Sequence, residues 1–600
     1  MAPWLALSCC LAPACAEPTP RSPAGRVAEC APVPAANRRG ETPATDAELE
    51  IRLDVELQPE RVLAARILAR GAAADAILSL ALEVPPADVK IASAKDASGP
   101  LETRVEAAPD GRSVIRWSRK VRGPLEVVVR VRAGAPTPAT RPTLGIDDNQ
   151  ARIPGEVIPL PEPLGEAIVD LRLELGQLDH REASGASTLA ATNVYRGRVT
   201  LGAVRRSYAA LVDGEIGTAR FHSSDGDDHA SWTGYTSFDP RWAFAETAGV
   251  RTGVDRYLGV RPGGQHGVVL VSDRRKDLPF AMVPRASGLW ISADIDAPWD
   301  ATPLLRVSQH FAQRLVGAGL WIGQRGGPRE PEGWFWSEGV SRVVGRESLY
   351  QLGLLSYDDL AADLNAALAE VTLSKLRASR LEALVASANA GSEGAVDARR
   401  MLAARGILWA TSVDARMRAA SKGQKDLRDL MRAIVAEAGK QRRDTWSVEE
   451  LRAFVSVTAG EAEGVSFSRA IVEGRPADSE VPAGASGTCH ELLRRKLSRF
   501  ELGFEWTPAP KPTDPSAPPA TSLGIVTSVM LGSAAERAGV LAGDRIEEMK
   551  FTPGRVDVAA KLKLSRAGRT LDVAYAPHGE EREGPMFVRK KGAKDESCTR

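Results

Sequence analysis

Two short segments near the middle of the chain hold residue types that metal hydrolases use. The segment LLRVSQHFAQRL (residues 304–315) contains His310, and WFWSEGVS (residues 334–341) contains Glu338. Zinc binds imidazole and carboxylate groups, and a catalytic zinc site needs three protein ligands and one open position. His310 and Glu338 would supply two ligands of such a site, and a third would have to come from elsewhere.

The richest source of further ligands is the stretch FHSSDGDDHASW (residues 221–232). Its candidate ligands are His222, Asp225, Asp227, Asp228 and His229. Their spacing does not match a calcium-binding loop. Because Asp and Gly favour tight turns, we interpret this stretch as a surface turn. The remaining histidines are far apart in sequence, and we expect each to be a separate structural or exposed side chain: His180, His266, His490 and His578.

Other kinds of catalysis and binding find little support. The sequence has no Gly-x-Ser-x-Gly segment that would present a nucleophilic serine, and no glycine-rich nucleotide-binding motif. The formal net charge is +1, which gives no electrostatic reason to expect nucleic acid as a partner. No run of residues after the N-terminus approaches the roughly 18 apolar residues of a membrane-spanning helix, so we expect no transmembrane span.

The N-terminal residues predict export. Residues 1–16 form a short apolar run that ends in Ala-Cys-Ala, as in a secretory signal, and Cys15 offers a lipoprotein-type lipid anchor as the alternative. Residues 17–46 have the composition of a disordered linker. We therefore expect a periplasmic, cell-envelope or extracellular protein. In an oxidising compartment one disulfide could form among Cys30, Cys489 and Cys598.

The pattern of apolar residues predicts the elements that would position these side chains. ELEIRLDVEL (residues 48–57) alternates polar and apolar residues, and PLEVVVRVRAG and AIVDLRLELG continue this strand pattern, so residues 47–215 predict a β-sandwich. GVVLVSD and GLWISADI predict strands of a mixed region. After Pro303 the spacing becomes helical to about residue 475, and Ser447 and Glu450 form a capping box.

Residues 490–590 resemble a PDZ domain, with a proline-rich insertion at 507–521. The resemblance is carried by ELGFEW and by SLGIVTSVMLGSAAERAGVLAGDRIEEM. PDZ domains bind a peptide C-terminus with the backbone N–H groups of a Leu-Gly-Phe loop, and the peptide pairs with a strand edge. Leu502, Gly503 and Phe504 occupy that position. The resemblance implies binding of a peptide or protein C-terminus; the alternative is a domain that only packs against the helices.

The whole order of regions resembles the M61 glycyl aminopeptidase family from about residue 46 to 590. The motifs that carry this resemblance are WFWSEG, LYQLGLLS, SFSRAIVEGRP and the PDZ segment. It implies a multidomain α+β fold with an N-terminal β-sandwich, a thermolysin-like mixed α/β and helical-bundle domain over residues 216–485, and a C-terminal PDZ domain.

The family holds zinc with a His-Glu-x-x-His helix and a downstream glutamate. Alignment on this family puts Gln309 and Gln313 at the two histidine positions, His310 at the catalytic glutamate position and Glu338 at the third ligand. A carboxamide is a poor ligand for zinc, and His310 lacks the carboxylate of the general base. The resemblance thus implies a degenerate motif in which no residue is catalytic and Glu338 is a remnant ligand.

The helix that would carry this motif is still predicted. Leu304, Val307, Phe311 and Leu315 form one apolar stripe, and the two glutamines fall on the opposite face with His310 beside them.

The sequence therefore favours a catalytically inactive, exported relative of the M61 aminopeptidases. Its cleft, its PDZ domain or both would bind peptides or proteins, and no cofactor is expected. The alternative is an active metal-dependent aminopeptidase whose unorthodox zinc site uses His310 and Glu338. A third interpretation is a purely structural scaffold.

Overall fold

A computed structural model describes residues 47–109, 111–133, 144–162, 168–223, 226–260, 265–273, 279–285, 288–475, 481–509, 522–552, 556–594 and 598. The predicted secretory segment, the lipid-anchor candidate Cys15, the predicted linker and Cys30 lie outside these described residues. The chain divides into two compact units, residues 1–311 and residues 312–600.

The first unit consists mainly of strands. Its elements in chain order are β1 (Leu49–Glu56), β2 (Val62–Ala69), α1 (Gly71–Ala76), β3 (Ser79–Leu82), β4 (Val89–Asp96), β5 (Gly99–Pro100), β6 (Thr103–Ala107), β7 (Ser113–Trp117), β8 (Leu125–Arg132), β9 (Gly145–Ile146), β10 (Gln150–Pro154), β11 (Leu160–Glu162), β12 (Ile168–Leu178), β13 (Arg181–Glu182), β14 (Ser184–Ser187), β15 (Val194–Thr200), α2 (Leu201–Arg205), β16 (Tyr208–Val212), β17 (Gly217–Ser223), β18 (Gly226–Thr233), α3 (Pro240–Tyr257), β19 (Gln265–Asp273), β20 (Phe280–Arg285), β21 (Gly288–Asp294) and α4 (Ala301–Leu315), which ends in the second unit.

The alternating segments predicted as strands are confirmed as β1, β8 and β12. In β1, alternate residues are buried, because one face of the sheet packs on a core while the other meets solvent. β1 pairs antiparallel with β2 and parallel with β12, within a sheet of order β13-β12-β1-β2-β8-β4-β5 in which β15 also pairs with β12. Smaller sheets have the orders β14-β16-β10-β9 and β11-β3-β7-β6. Leu49, Ile51 and Leu53 belong to the shared core.

A mixed sheet of order β17-β18-β19-β21-β20 follows in the first unit. β18, β19 and β21 are parallel, whereas β17 and β20 are antiparallel to their neighbours. The predicted strands GVVLVSD and GLWISADI are confirmed as β19 and β21. Val269, Val271 and Trp290 on one face pack with Tyr208 and Ala210 of β16. The other face lies against α3 and α4 through Trp232–Phe244 and His266–Phe311 ring contacts.

The second unit is mainly helical up to residue 475 and contains strands beyond. Its elements after α4 are β22 (Trp321–Ile322), α5 (Ser341–Gln351), α6 (Tyr357–Leu373), α7 (Leu381–Asn389), α8 (Ser392–Ala420), α9 (Leu427–Gln441), β23 (Thr445–Trp446), α10 (Val448–Ala459), α11 (Glu461–Phe467), β24 (His490–Phe500), β25 (Phe504–Pro508), β26 (Gly524–Val529), α12 (Ala534–Arg537), β27 (Arg545–Lys550), β28 (Ala560–Arg566), β29 (Arg569–Tyr575) and β30 (His578–Arg589).

Helix starts in this unit follow local chemistry. The Ser447 side chain accepts a hydrogen bond from the Glu450 backbone, and Glu450 accepts one from the Ser447 backbone, so the predicted capping box at the start of α10 is confirmed. Reciprocal caps of the same kind begin α6 and α9. Among the described residues, no helix combines the length and hydrophobicity needed to cross a membrane.

β24 and β30 form a two-stranded antiparallel ribbon, and the strands between them in sequence form a sheet of order β25-β26-β27-β28-β29. A disulfide between Cys489 and Cys598 closes the base of this ribbon, with the two Cα atoms 5.3 Å apart. His490 Nε2 lies 3.0 Å from a carboxylate oxygen of Asp358 on α6, which ties the ribbon to the helices. His490 is thus a structural histidine, as predicted.

Candidate functional site

Glu338 lies in a π-helical turn, Phe335–Val340, that runs directly into α5. Insertions of this kind are rare and occur frequently at functional sites. The turn packs backbone to backbone on α8, because a Cβ at Gly339 would lie 2.5 Å from the Ala403 carbonyl oxygen and one at Gly406 would lie 2.0 Å from that of Phe335. The two glycines therefore allow the close approach that positions Glu338.

The Glu338 carboxylate forms an ion pair with the Arg399 guanidinium, which α8 supplies. The Glu338 side chain is 18% exposed and that of Arg399 is 56% exposed. Arg399 also lies over the indole of Trp334, 5.4 Å from the ring centroid, in a cation–π arrangement. Burial lowers the pKa of Arg399, but the hydrogen bond and the charge of Glu338 raise it, and the net shift is upward. Glu338 thus already has a permanent cation as its partner.

A buried ionic network fixes α5 immediately after this turn. Arg346 is fully buried and donates to Glu347 at 3.2 Å, to Asp363 at 3.2 Å and to the Thr411 hydroxyl at 2.9 Å. Arg342 donates to the same Asp363 at 2.7 Å. Because the network joins α5 to α6 and α8, it also fixes the backbone that carries Glu338.

Helix α4 has the predicted amphipathic form, with one correction. Leu304, Val307 and Phe311 are fully buried, whereas Leu315 is only half-buried because it lies in the last turn. Gln309 and Gln313 are half-buried and lie one helical turn apart, at the spacing that would direct two ligands to one side. Their carboxamides are neutral, so the helix offers no imidazole or carboxylate at these positions.

His310 is buried rather than part of a polar face, so this prediction was wrong. Its side chain is 8% exposed, and its ring centroid lies 6.2 Å from that of His266 and 5.4 Å from that of Phe311. His266 lies on β19 and is 4% exposed, so it is not the isolated histidine that the sequence predicted. The pair forms because α4 packs against β19, a contact that nothing in the sequence around either histidine indicates.

The surface-turn prediction for residues 221–232 was wrong for Asp228 and His229. Both lie in β18, where Asp228 accepts a hydrogen bond of 3.0 Å from the buried Arg251 on α3. His229 is 4% exposed, with Nε2 at 3.2 Å from the Ser187 carbonyl oxygen, and burial lowers its pKa. Part of the set lies outside the described residues, namely Asp225 and the side chains of His222 and Asp227.

The residues at the positions that resemble the M61 ligands do not fit zinc. Gln309 and Gln313 are neutral oxygen donors, and the one carboxylate, Glu338, is bound by a guanidinium. His310, the other ligand of the alternative zinc site, packs beside His266. Within the described part of the chain, no group of three His, Cys, Asp or Glu side chains is arranged to hold a metal ion.

Hydrogen bonds from two other segments of the chain fix the loop that resembles a PDZ carboxylate-binding loop. Gly503 has a φ of +79°, and its carbonyl oxygen accepts a hydrogen bond of 3.2 Å from the Ser533 hydroxyl. The Leu502 carbonyl accepts one of 2.6 Å from the Tyr575 hydroxyl. Phe504 is buried and begins β25, which ends its sheet and pairs with β26 alone among the described strands. The loop therefore leads into an edge strand.

No protein-family model and no curated protein matches this sequence. Among solved structures, the chain is similar to an aminopeptidase N family protein from Idiomarina loihiensis, with a TM-score of 0.63 and 12% identity over 90% of this chain and 98% of that one. It is also similar to an M1 zinc metallopeptidase from Deinococcus radiodurans, with a TM-score of 0.45 and 14% identity over 71% and 93% of the chains.

The first of these similarities shows the fold. This chain has a metallopeptidase-like fold of the aminopeptidase type, with several sheets and helices in a mixed α/β arrangement. The predicted fold class is confirmed at that level.

Proposed function

We propose that this protein is a catalytically inactive, exported relative of the M61 aminopeptidases that binds peptides or protein C-termini. The observation that carries the proposal is the ion pair between Glu338 and Arg399. A metal ion at Glu338 would have to displace a guanidinium that stays charged at all physiological pH values.

The neighbouring chemistry points the same way. A catalytic zinc needs three protein ligands, and carboxamides at Gln309 and Gln313 do not replace imidazoles. The position that resembles the general base holds His310, whose imidazole is buried beside His266. Thus both metal binding and activation of water lack the groups they require.

The peptide-binding part of the proposal rests on β25 and the loop before it. An edge strand presents unpaired N–H and C=O groups, with which an extended peptide can pair. The loop of Leu502, Gly503 and Phe504 precedes this strand, at the position where PDZ domains bind a terminal carboxylate. We infer that the ligand is a peptide with a free C-terminus.

Export is supported by the disulfide between Cys489 and Cys598, because such bonds persist in oxidising compartments. The N-terminal segment carries the secretory pattern, with lipid attachment at Cys15 as the second form of export.

The catalytic half of the proposal is tested by metal analysis. The purified protein is equilibrated with zinc, and its metal content and its cleavage of aminoacyl reporter peptides are measured. We expect substoichiometric zinc and no cleavage in the wild type. Stoichiometric zinc that is lost in Glu338→Gln or His310→Ala, together with cleavage, would overturn inactivity and establish the alternative zinc site.

The binding half is tested with peptide libraries that end in a free carboxylate or in an amide. We expect amidation to weaken binding about 10- to 100-fold, because an amidated peptide lacks the carboxylate charge that strengthens its hydrogen bonds to the loop. Gly503→Ala should also weaken binding, since its Cβ would lie 2.8 Å from Ser533 Cβ.

The matched control for this variant is Gly532→Ala. Gly532 has a similar φ, +73°, but a Cβ there would meet nothing within 4 Å. The control should have the same backbone strain without a blocked loop. Equal affinity for acids and amides, or equal losses in both variants, would remove the carboxylate-loop argument.

A further inference from the structure

The second unit contains a cavity of about 710 Å³ that includes neither Glu338 nor Arg399 in its walls. It lies where the 3₁₀ turn Glu330–Gly333 and the start of α7 face the junction between β23 and α10. The volume falls within the range of small-molecule sites, roughly 300–1,000 Å³. The cavity therefore has room for a small molecule.

Two ion pairs in the cavity walls are already satisfied. Arg443 and Glu450 form a two-point contact of 2.7 and 3.1 Å, and Glu450 also accepts a hydrogen bond of 2.7 Å from the Ser447 backbone. The hydrogen bond from Arg443 lowers the pKa of Glu450 to about 2. On the other side, the 7% exposed Glu332 pairs with Arg329. Two further lining carboxylates pair with arginines outside the lining, Glu382 with Arg380 at 3.9 Å and Asp444 with Arg325 at 3.5 Å.

Two other lining residues of opposite charge make no ion pair within the described part of the chain, namely Arg442 and Glu449. Arg442 caps the end of α9 in a left-handed conformation, with φ 51° and ψ 39°, and Glu449 lies in the first turn of α10. Both side chains are exposed, so their charged groups are accessible to a ligand in the cavity.

We propose that this cavity binds a small zwitterion, a free α-amino acid or a dipeptide. Its carboxylate pairs with Arg442, while its ammonium group pairs with Glu449. A ligand with a single charge would satisfy only one of the two unpaired side chains. The cavity shares no residue with the proposed peptide-binding loop and does not include Glu338. The proposed zwitterion site can therefore be tested independently of the proposed function.

Isothermal titration calorimetry of the full chain tests this site. The ligands are L-alanine, Ala-Ala, N-acetyl-Ala-Ala and Ala-Ala amide. We expect binding of the zwitterions and a loss of about 10-fold on blocking either end, because a charge-assisted contact is removed each time. Arg442→Gln and Glu449→Gln should each weaken Ala-Ala binding about 10-fold. In Glu449→Gln, N-acetylation should have no further effect, because its partner is already absent.

The control variant is Arg452→Gln, which makes the same charge change on α10 outside the cavity wall. It should bind Ala-Ala as the wild type does. Absence of heat from every zwitterion up to about 10 mM, equal affinity for the blocked peptides, or an equal loss in Arg452→Gln would each overturn the proposal.

Discussion

The substitution Gly406→Ala tests how α8 holds the turn that carries Glu338. A Cβ at this position would lie 2.0 Å from the Phe335 carbonyl oxygen and 3.0 Å from the Gly339 Cα. An ordinary contact begins at 3.4 Å, so two backbone segments would have to separate by more than 1 Å. Neither neighbour is the flexible end of a side chain, and the strain therefore falls on the packing of the turn against α8.

The expected change in the free energy of unfolding has the opposite sign to the change that helix propensity alone predicts. In a helix without close neighbours, Gly→Ala stabilises by about 1 kcal/mol. At Gly406 the overpacking costs about 1–3 kcal/mol or more and exceeds that gain. We expect net destabilisation of up to about 2 kcal/mol, and each kcal/mol lowers Tm by about 2–4 °C.

The assay is thermal and urea unfolding of Gly406→Ala beside Gly439→Ala. Gly439 lies on α9, and a Cβ there would meet nothing within 4 Å. This control should unfold at the same temperature as the wild type or higher. A Gly406→Ala protein as stable as the control would refute the close packing of the turn on α8.

Three further predictions concern stability. Arg346→Met should destabilise by about 3–5 kcal/mol, because it removes the cation that the buried Glu347 faces and one of the two arginines that pair with Asp363. Urea unfolding measures this loss, and a loss under about 1 kcal/mol would contradict the network. Cys489→Ser opens a loop of 109 residues. The chain-entropy model gives about 5 kcal/mol at most, and a Tm that does not respond to reductant would contradict this bond. The unfolded state of His229 binds a proton below its ordinary pKa of 6.5, whereas the folded state resists it because burial lowers the pKa. Stability should therefore fall as pH drops below about 6.5. His229→Asn should flatten this dependence in urea titrations, and an unchanged slope would contradict it.

The strands and helices were predictable because their signals are local. Alternation of apolar residues identified β1, β8 and β12, since each strand carries its own buried face. The Ser447–Glu450 cap was readable because both partners lie within one turn. The apolar stripe of α4 was correct except at Leu315, where the helix ends.

The candidate site was less predictable because its contacts join distant parts of the chain. Arg399 lies 61 residues beyond Glu338. Helix α8 contains several arginines, and the sequence does not indicate which of them pairs with a carboxylate. His310 looked like part of a polar face because periodicity compares a residue only with its own helix. Its burial depends on β19, where His266 lies.

The sequence by itself determined most of the strands and helices, the carboxamides at positions 309 and 313, and the carboxylate at position 338. These are statements about residue identity and about neighbours within a few turns. Only the tertiary structure decided that Glu338 pairs with Arg399, that His310 and His266 are buried together, and that Arg442 and Glu449 line one cavity. Charge pairing depends on distance in space, and the sequence does not specify which helix face meets which partner until the elements pack.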